Sequence, residues 1–182
     1  MKYLITFVTV ILLLLVYGGQ SYAFEKAGSS ASLDFTLEQN GSDNRVQVLR
    51  SFLLEYDSPL APYAEDFVTS ADKYNLDWRL VASIAGLEST FGKQILYNSF
   101  NAWGWGVYGD NVIRFATWNE GIETISKGLR ERYLKERQES DPYFIGPTYA
   151  ASPTWAQRVS YFMNKMEEYR IRNAKSTLAL AL

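Results

Sequence analysis

The chain has 182 residues, 18 of them basic and 20 acidic, a net charge of −2, and neither histidine nor cysteine. This composition excludes Ser-His-Asp and Cys-His nucleophile systems, zinc sites built on His or Cys, thiol redox chemistry and disulfides. The central region has no basic excess of the kind that nucleic acid demands, and neither GxxxxGK[ST] nor GxGxxG occurs to cradle a phosphate. No metal and no cofactor is expected, and a single core without disulfides must hold the fold.

In chain order, Met1-Lys2 precedes an apolar run from Tyr3 to Val16, shorter than the about 20 residues of a membrane span. Gly18-Gly19 breaks the run, and Ser21 and Ala23 supply small residues before a cleavage point, so 1–23 reads as a signal peptide. An uncleaved N-terminal anchor is the competing reading. In both, this segment meets the membrane, the folded part is exported, and no cysteine follows to carry a lipid. Residues 24–42 are rich in Ser, Ala, Gly, Glu and Asn and read as a flexible spacer. A monomeric, mainly α domain spans 43–175, with an apolar tail over 176–182 to which no function is assigned.

Within the domain, Asp43 or Asn44 caps a helix carrying Val46, Leu49, Phe52 and Leu53. Ser58-Pro59 opens a second helix running to about Tyr74, and Asp77 caps a third from Trp78 to about Thr90. Residues 93–116 mix Asn and Gly with Phe100, Trp103, Trp105 and Tyr108, which predicts an irregular lobe with a small hairpin around Gly109-Asp110. Thr117-Trp118-Asn119-Glu120 is a capping box, with Trp118, Ile122, Ile125 and Leu129 at helical spacing behind it. Asp141-Pro142 and Gly146-Pro147 read as a loop, and Ser152-Pro153 starts a last helix with Trp155, Val159, Phe162 and Met166 on one face.

The chemistry concentrates at Glu88. Ala85, Ile84 and Val81 lie at i−3, i−4 and i−7 from it, so the carboxylate sits on the apolar side of its helix, just before Gly92 turns the chain away. Desolvation there would raise its pKa, as a general acid at neutral pH requires, with activity falling as pH rises through that value. The alternative is a structural glutamate paired with an arginine or with backbone amides. About a dozen residues later, Asn101-Ala102-Trp103-Gly104-Trp105-Gly106-Val107-Tyr108 alternates aromatic and glycine residues. Flat aromatic faces suit the C–H faces of sugars, so Trp103, Trp105 and Tyr108 are candidate walls of a saccharide cleft; otherwise the tryptophans pack beneath the loop.

At these residues the chain resembles the lysozyme-like superfamily that cleaves bacterial cell-wall glycan, in particular soluble lytic transglycosylases and endo-β-N-acetylglucosaminidases. The likeness covers about half of the chain, from about Asp77 to Met166. Glu88-Ser89-Thr90-Phe91-Gly92 is similar to the Glu-Ser-x-aromatic-Gly segment that carries their catalytic acid. Asn101-Ala102-Trp103-Gly104 is similar to their Asn-x-aromatic-Gly loop, and Tyr149-Ala150 before Trp155-Ala156 to the cleft tyrosine ahead of the glucosaminidase last helix.

The resemblance implies a lysozyme-like helical domain acting on peptidoglycan. Glu88 and Tyr149 would be the catalytic residues, and Ser89, Asn101, Trp103, Trp105 and Tyr108 the substrate-binding ones. Glu88 would protonate the glycosidic oxygen, and Tyr149 and Asn101 would orient or stabilise the transition state. The Gly-Leu-x-Gln segment of transglycosylases is replaced by Trp-Gly-Trp-Gly-Val, and Gly106 stands where glucosaminidases carry Lys. Hydrolysis and transglycosylation therefore both stay open. A second carboxylate, where hydrolysis needs one, would come from Asp110 or Glu120. Two further readings keep the residues and change the role: an inactive glycan-binding module of the same fold, and a helical interaction protein at the envelope.

Overall fold

A ten-residue helix that is apolar on nearly every side must be enclosed by other elements, and Leu80–Ser89 is such a helix. A computed structural model describes residues 44–106 and 111–180, with side chains to Lys175. The segments over 1–23 and 24–42, the hairpin centred on Gly109-Asp110, and the residues Tyr108 and Asp110 lie outside this description. Among the described residues the protein is mainly helical and holds no strand, as the helical periodicities predict. None of the described helices is long and apolar enough to cross a membrane.

Helix α1 covers residues 44–55 and is followed by a 3₁₀ turn at Ala61–Tyr63 and helix α2 at Ala64–Lys73. The enclosed helix, Leu80–Ser89, is α3; α4 is Trp118–Gly128, continued by a π-helix at Leu129–Leu134; α5 is Pro142–Tyr149 and α6 is Trp155–Leu180. α3 packs on α6, α2 on α4, and α5 on both α6 and the π-helix. α1 is fastened by Phe52, whose ring meets Phe91 and Tyr169 edge-on at 5.7 and 6.0 Å, and by a two-pronged Arg45–Asp72 bond to α2 at 2.8 and 2.9 Å.

Several boundaries differ from expectation for identifiable reasons. Ser58 does not cap a helix. Its hydroxyl is buried, accepts from Leu60 N–H at 3.0 Å and donates to the Phe91 carbonyl at 2.7 Å, and regular α geometry begins only at Ala64, past Pro59 and Pro62. Asp77 accepts from Arg79 N–H at 2.9 Å, and α3 proper starts one residue further on. The Thr117 cap is found as read, with its hydroxyl accepting from Glu120 N–H at 3.2 Å and Glu120 reaching back to Ala116 N–H at 2.6 Å. The stretch after Asp141, read as a loop, is helix α5. Asp141 caps it by accepting from Tyr143 N–H at 2.9 Å, Pro142 fills its first position, and Pro147 sits inside it only two residues from its end. α6 runs on to Leu180, beyond the domain end expected at 175.

Gly86 lies within α3 because a side chain there has no room. A Cβ would stand 2.5 Å from Cζ of Phe91, whose ring fills the space beside the helix end and is 1% exposed. Gly-to-Ala in an open helix gains about 1 kcal/mol. Here overpacking dominates, and Gly86→Ala is expected to lose about 1–3 kcal/mol, with a correspondingly lower thermal or urea midpoint.

Candidate active site

The turn that ends α3 is left-handed over three consecutive residues: Thr90 at φ 53°, Phe91 at φ 56° and Gly92 at φ 81°. Two of the three carry a Cβ, a conformation that persists only when neighbouring bonds hold it. Thr90 and Phe91 N–H both donate to the Ala85 carbonyl, the latter at 3.0 Å, and Gly92 N–H donates to Ser89 Oγ at 2.9 Å. The single proton of the Ser89 hydroxyl is shared between the carbonyls of Ala85 at 3.0 Å and Ala102 at 2.8 Å. Ser89 is buried and fully engaged, so it joins the helix end to the aromatic loop rather than facing a ligand.

Glu88 projects from this joint. Val81, Ile84 and Ala85 are buried as their spacing predicts, but Glu88 itself is exposed, because α3 emerges from the domain at its last turn. The indole Nε1–H of Trp155, at the start of α6, donates to Oε1 of the carboxylate at 2.8 Å. Oε2 is left facing Gly104, where an added Cβ would lie 3.5 Å from it and where φ is +62°. A side chain at Gly104 would be strained, and would crowd the free oxygen.

The loop is organised from within by Asn101. Its amide nitrogen donates to the carbonyls of Trp105 at 2.8 Å and Ile113 at 2.9 Å, while its oxygen accepts from Trp103 N–H at 3.3 Å and Trp105 N–H at 3.1 Å. Asn101 therefore shapes the wall and has no free donor for a sugar. Trp103 differs from its expected role as a stacking surface: it is fully buried, donates to the Val81 carbonyl at 2.9 Å, and its ring meets Phe67, Phe115 and Trp118 in the core. Trp105 is also buried, at 8% exposure, but at the edge of the core, 6.0 Å from the rings of both Tyr133 and Tyr149 and with the Arg132 guanidinium 5.5 Å over it.

Tyr149 comes to the site from α5. Its hydroxyl donates to the Trp103 carbonyl at 2.8 Å and its ring stacks on Trp155 at 4.8 Å. Burial pushes its phenol well above the usual range, and the charge of Glu88 pushes the same way. The Glu88 and Tyr149 segments, far apart in sequence, are thus brought together through Trp155 and the loop backbone. A cavity of about 230 Å³ opens between Gly104, Trp105, Arg132, Tyr133, Thr148 and Tyr149. Its described lining holds no carboxylate, and Glu120 is occupied by its cap. A larger cavity of about 550 Å³ lies at the other end of α3, about 12 Å along the axis, beside the ion-paired Asp77 and Arg79. It has no acid in the setting of Glu88.

Trp155, Arg132 and Tyr133 belong to the site and were not legible as such. Trp155 reads from its spacing as a core residue, and nothing local marks its N–H as the partner of a carboxylate. The Tyr149 environment yields a test. A raised phenol pKa stabilises the fold below the unfolded-state value of 10.0 and is lost as pH rises beyond it, because the unfolded chain then releases a proton that the folded chain keeps. Tyr149→Phe is expected to cost about 1 kcal/mol near neutrality. Its urea midpoint should fall less steeply than that of the native protein above about pH 10.

No protein-family model matches the chain, and no curated protein matches it in sequence.

Proposed function

We propose that the chain is an exported enzyme that cleaves the glycan strands of bacterial cell-wall peptidoglycan at the β-1,4 bond between amino sugars, with Glu88 as general acid and then base. The bond between Trp155 N–H and Glu88 Oε1 carries this reading. A carboxylate held at one oxygen by a buried indole, with the other oxygen turned to a glycine-walled opening, is oriented for proton transfer.

In this mechanism Oε2 carries the proton. The glycosidic oxygen approaches over Gly104, takes the proton as its C1–O bond breaks, and leaves as the hydroxyl of the departing strand. The carboxylate so formed keeps the Trp155 N–H, a charge-assisted bond that strengthens as negative charge appears. The carboxylate then takes a proton from the nucleophile. If that is the sugar's own 6-hydroxyl, a 1,6-anhydro end forms and one carboxylate suffices; if it is water, a reducing end forms. Tyr149 and Asn101 act in both routes by holding the loop that faces Oε2, Tyr149 through the Trp103 carbonyl and Asn101 through four loop hydrogen bonds. Trp105 and Tyr133 offer the aromatic wall, and the N-terminal segment provides the route out of the cell.

The test is mass spectrometry of the fragments released from purified peptidoglycan. Glu88→Gln is expected to lower release by about 10²–10⁴-fold while leaving thermal unfolding unchanged. Trp155→Phe, which keeps the ring and removes the N–H, is expected to lower kcat roughly 10- to 100-fold with little change in KM, the equivalent of about 1.5–3 kcal/mol for a bond to a charged group. Anhydro ends would make the reaction a transglycosylation and reducing ends a hydrolysis. Unchanged release by Glu88→Gln would remove the carboxylate from the mechanism. No fragments from the native protein would move the reading to a glycan-binding module.

A further inference from the structure

Beyond the cavity beside Glu88 the surface continues into a second, of about 650 Å³, and the two share Arg132, Tyr133 and Thr148 in their walls. The second is built on an irregular strap. α4 widens into the π-helix Leu129–Leu134, and the chain then leaves it at Lys135 with φ 50° and ψ −119°, a conformation costly for a residue with a Cβ. Arg130 holds the strap in this form. Its guanidinium donates to the carbonyls of Lys135 at 3.1 Å and Arg137 at 2.5 Å, and from its other side to those of Tyr74 and Asn75 in the turn after α2.

What the strap presents is net positive, three cations against Glu136, which lines the same cavity. Arg132, Lys135 and Arg137 are exposed and line the second cavity, and among the described residues none of the three is paired with a carboxylate. Arg45, Lys73, Arg79, Lys127, Lys165 and Arg170 each face an acid within 4.0 Å, whereas the strap sets three cations close together in the chain without one. Two of the strap cations lie over aromatic rings instead, Arg132 over Trp105 at 5.5 Å and Arg137 over Phe144 at 4.1 Å. An arginine held over a ring loses less freedom on binding than a free one, and its N–H groups can make a two-pronged bond to a carboxylate.

We propose that the strap 132–137 is an anion-binding extension of the Glu88 cleft that takes the carboxylates of the peptide stems borne by the glycan, while the sugar rings occupy the aromatic cavity. This rests on the proposed glycan-cleaving function and adds a specificity to it: strands with charged stems are preferred over strands whose stems carry no charge.

The experiment measures binding of soluble glycan strands to the full chain carrying Glu88→Gln, which does not consume its ligand. The strands are used with native stems and with the stem carboxylates amidated, which removes charge and keeps bulk. Native strands are expected to bind roughly ten-fold more tightly than amidated ones, and the preference to shrink as salt is added. Lys135→Gln with Arg137→Gln, added to the same chain, is expected to abolish the preference and leave affinity for amidated strands unchanged. The inference is overturned if both kinds of strand bind the parent equally, or if the preference survives the double substitution. If amidated strands fail to bind and native ones bind no better, the glycan reading falls together with it. Binding of amidated strands without any charge preference removes the strap alone.

Discussion

The hydroxyl of Ser89 stands where three segments meet, and the rest of the site is hung from that point. It ties the Ala85 carbonyl of α3, the Gly92 amide of the turn and the Ala102 carbonyl of the aromatic loop into one joint. The turn it closes is left-handed at two residues with side chains, so the joint stores strain that its hydrogen bonds must offset. The ring of Phe91 is driven by this geometry against Gly86 and the α1 residue Phe52, which fixes how deep α3 sits. The glutamate next to Ser89 inherits its direction from the same joint. With α3 enclosed and its end pinned, Glu88 lies toward the start of α6 and Gly104.

A division of labour follows among residues that look alike in a one-dimensional pattern. Trp103 and Trp105 are two positions apart and both buried, yet one is wholly enclosed in the core and the other edges the cavity. Irregular backbone makes this possible, since the positive φ of Gly104 between them turns successive side chains to different layers. Asn101 supplies the hydrogen bonds that regular secondary structure would otherwise provide, so the loop keeps its shape without strands among its described residues. Tyr149 extends the same logic to α5, whose ring contacts with Trp105, Tyr133 and Trp155 make the cavity floor continuous with the helices.

Helical periodicity was a reliable guide to the core. Trp118, Ile122, Ile125 and Leu129 are buried along one face as their spacing requires, and the Thr117–Glu120 cap is legible because both of its bonds are local. The Asp141-Pro142 signal was equally local and was misread, because Pro147 nearby argued for a loop; a helix of eight residues can carry a proline near its end. At the site, the position of Glu88 at a helix end could be read from sequence, but its exposure could not, since that depends on where α3 leaves the domain. Ser89, Asn101 and Trp103 spend their hydrogen bonds and their burial inside the fold, which their sequence neighbourhood does not reveal: short polar groups and a buried ring are taken up by partners distant in the chain. Trp155 and the strap cations depend on pairings across dozens of residues, for which no short-range pattern exists.

The bond between Trp155 and Glu88 spans 67 positions of the chain. Its donor belongs to the first turn of the last helix, so the orientation of the carboxylate depends on a contact of long sequence separation that loop closure makes slow to form. A chain that has been synthesised only as far as α5 already contains the Glu88 segment, the aromatic loop and Tyr149, and still lacks the donor. The Trp155–Glu88 geometry is therefore completed only by the docking of α6, the step that also completes the core.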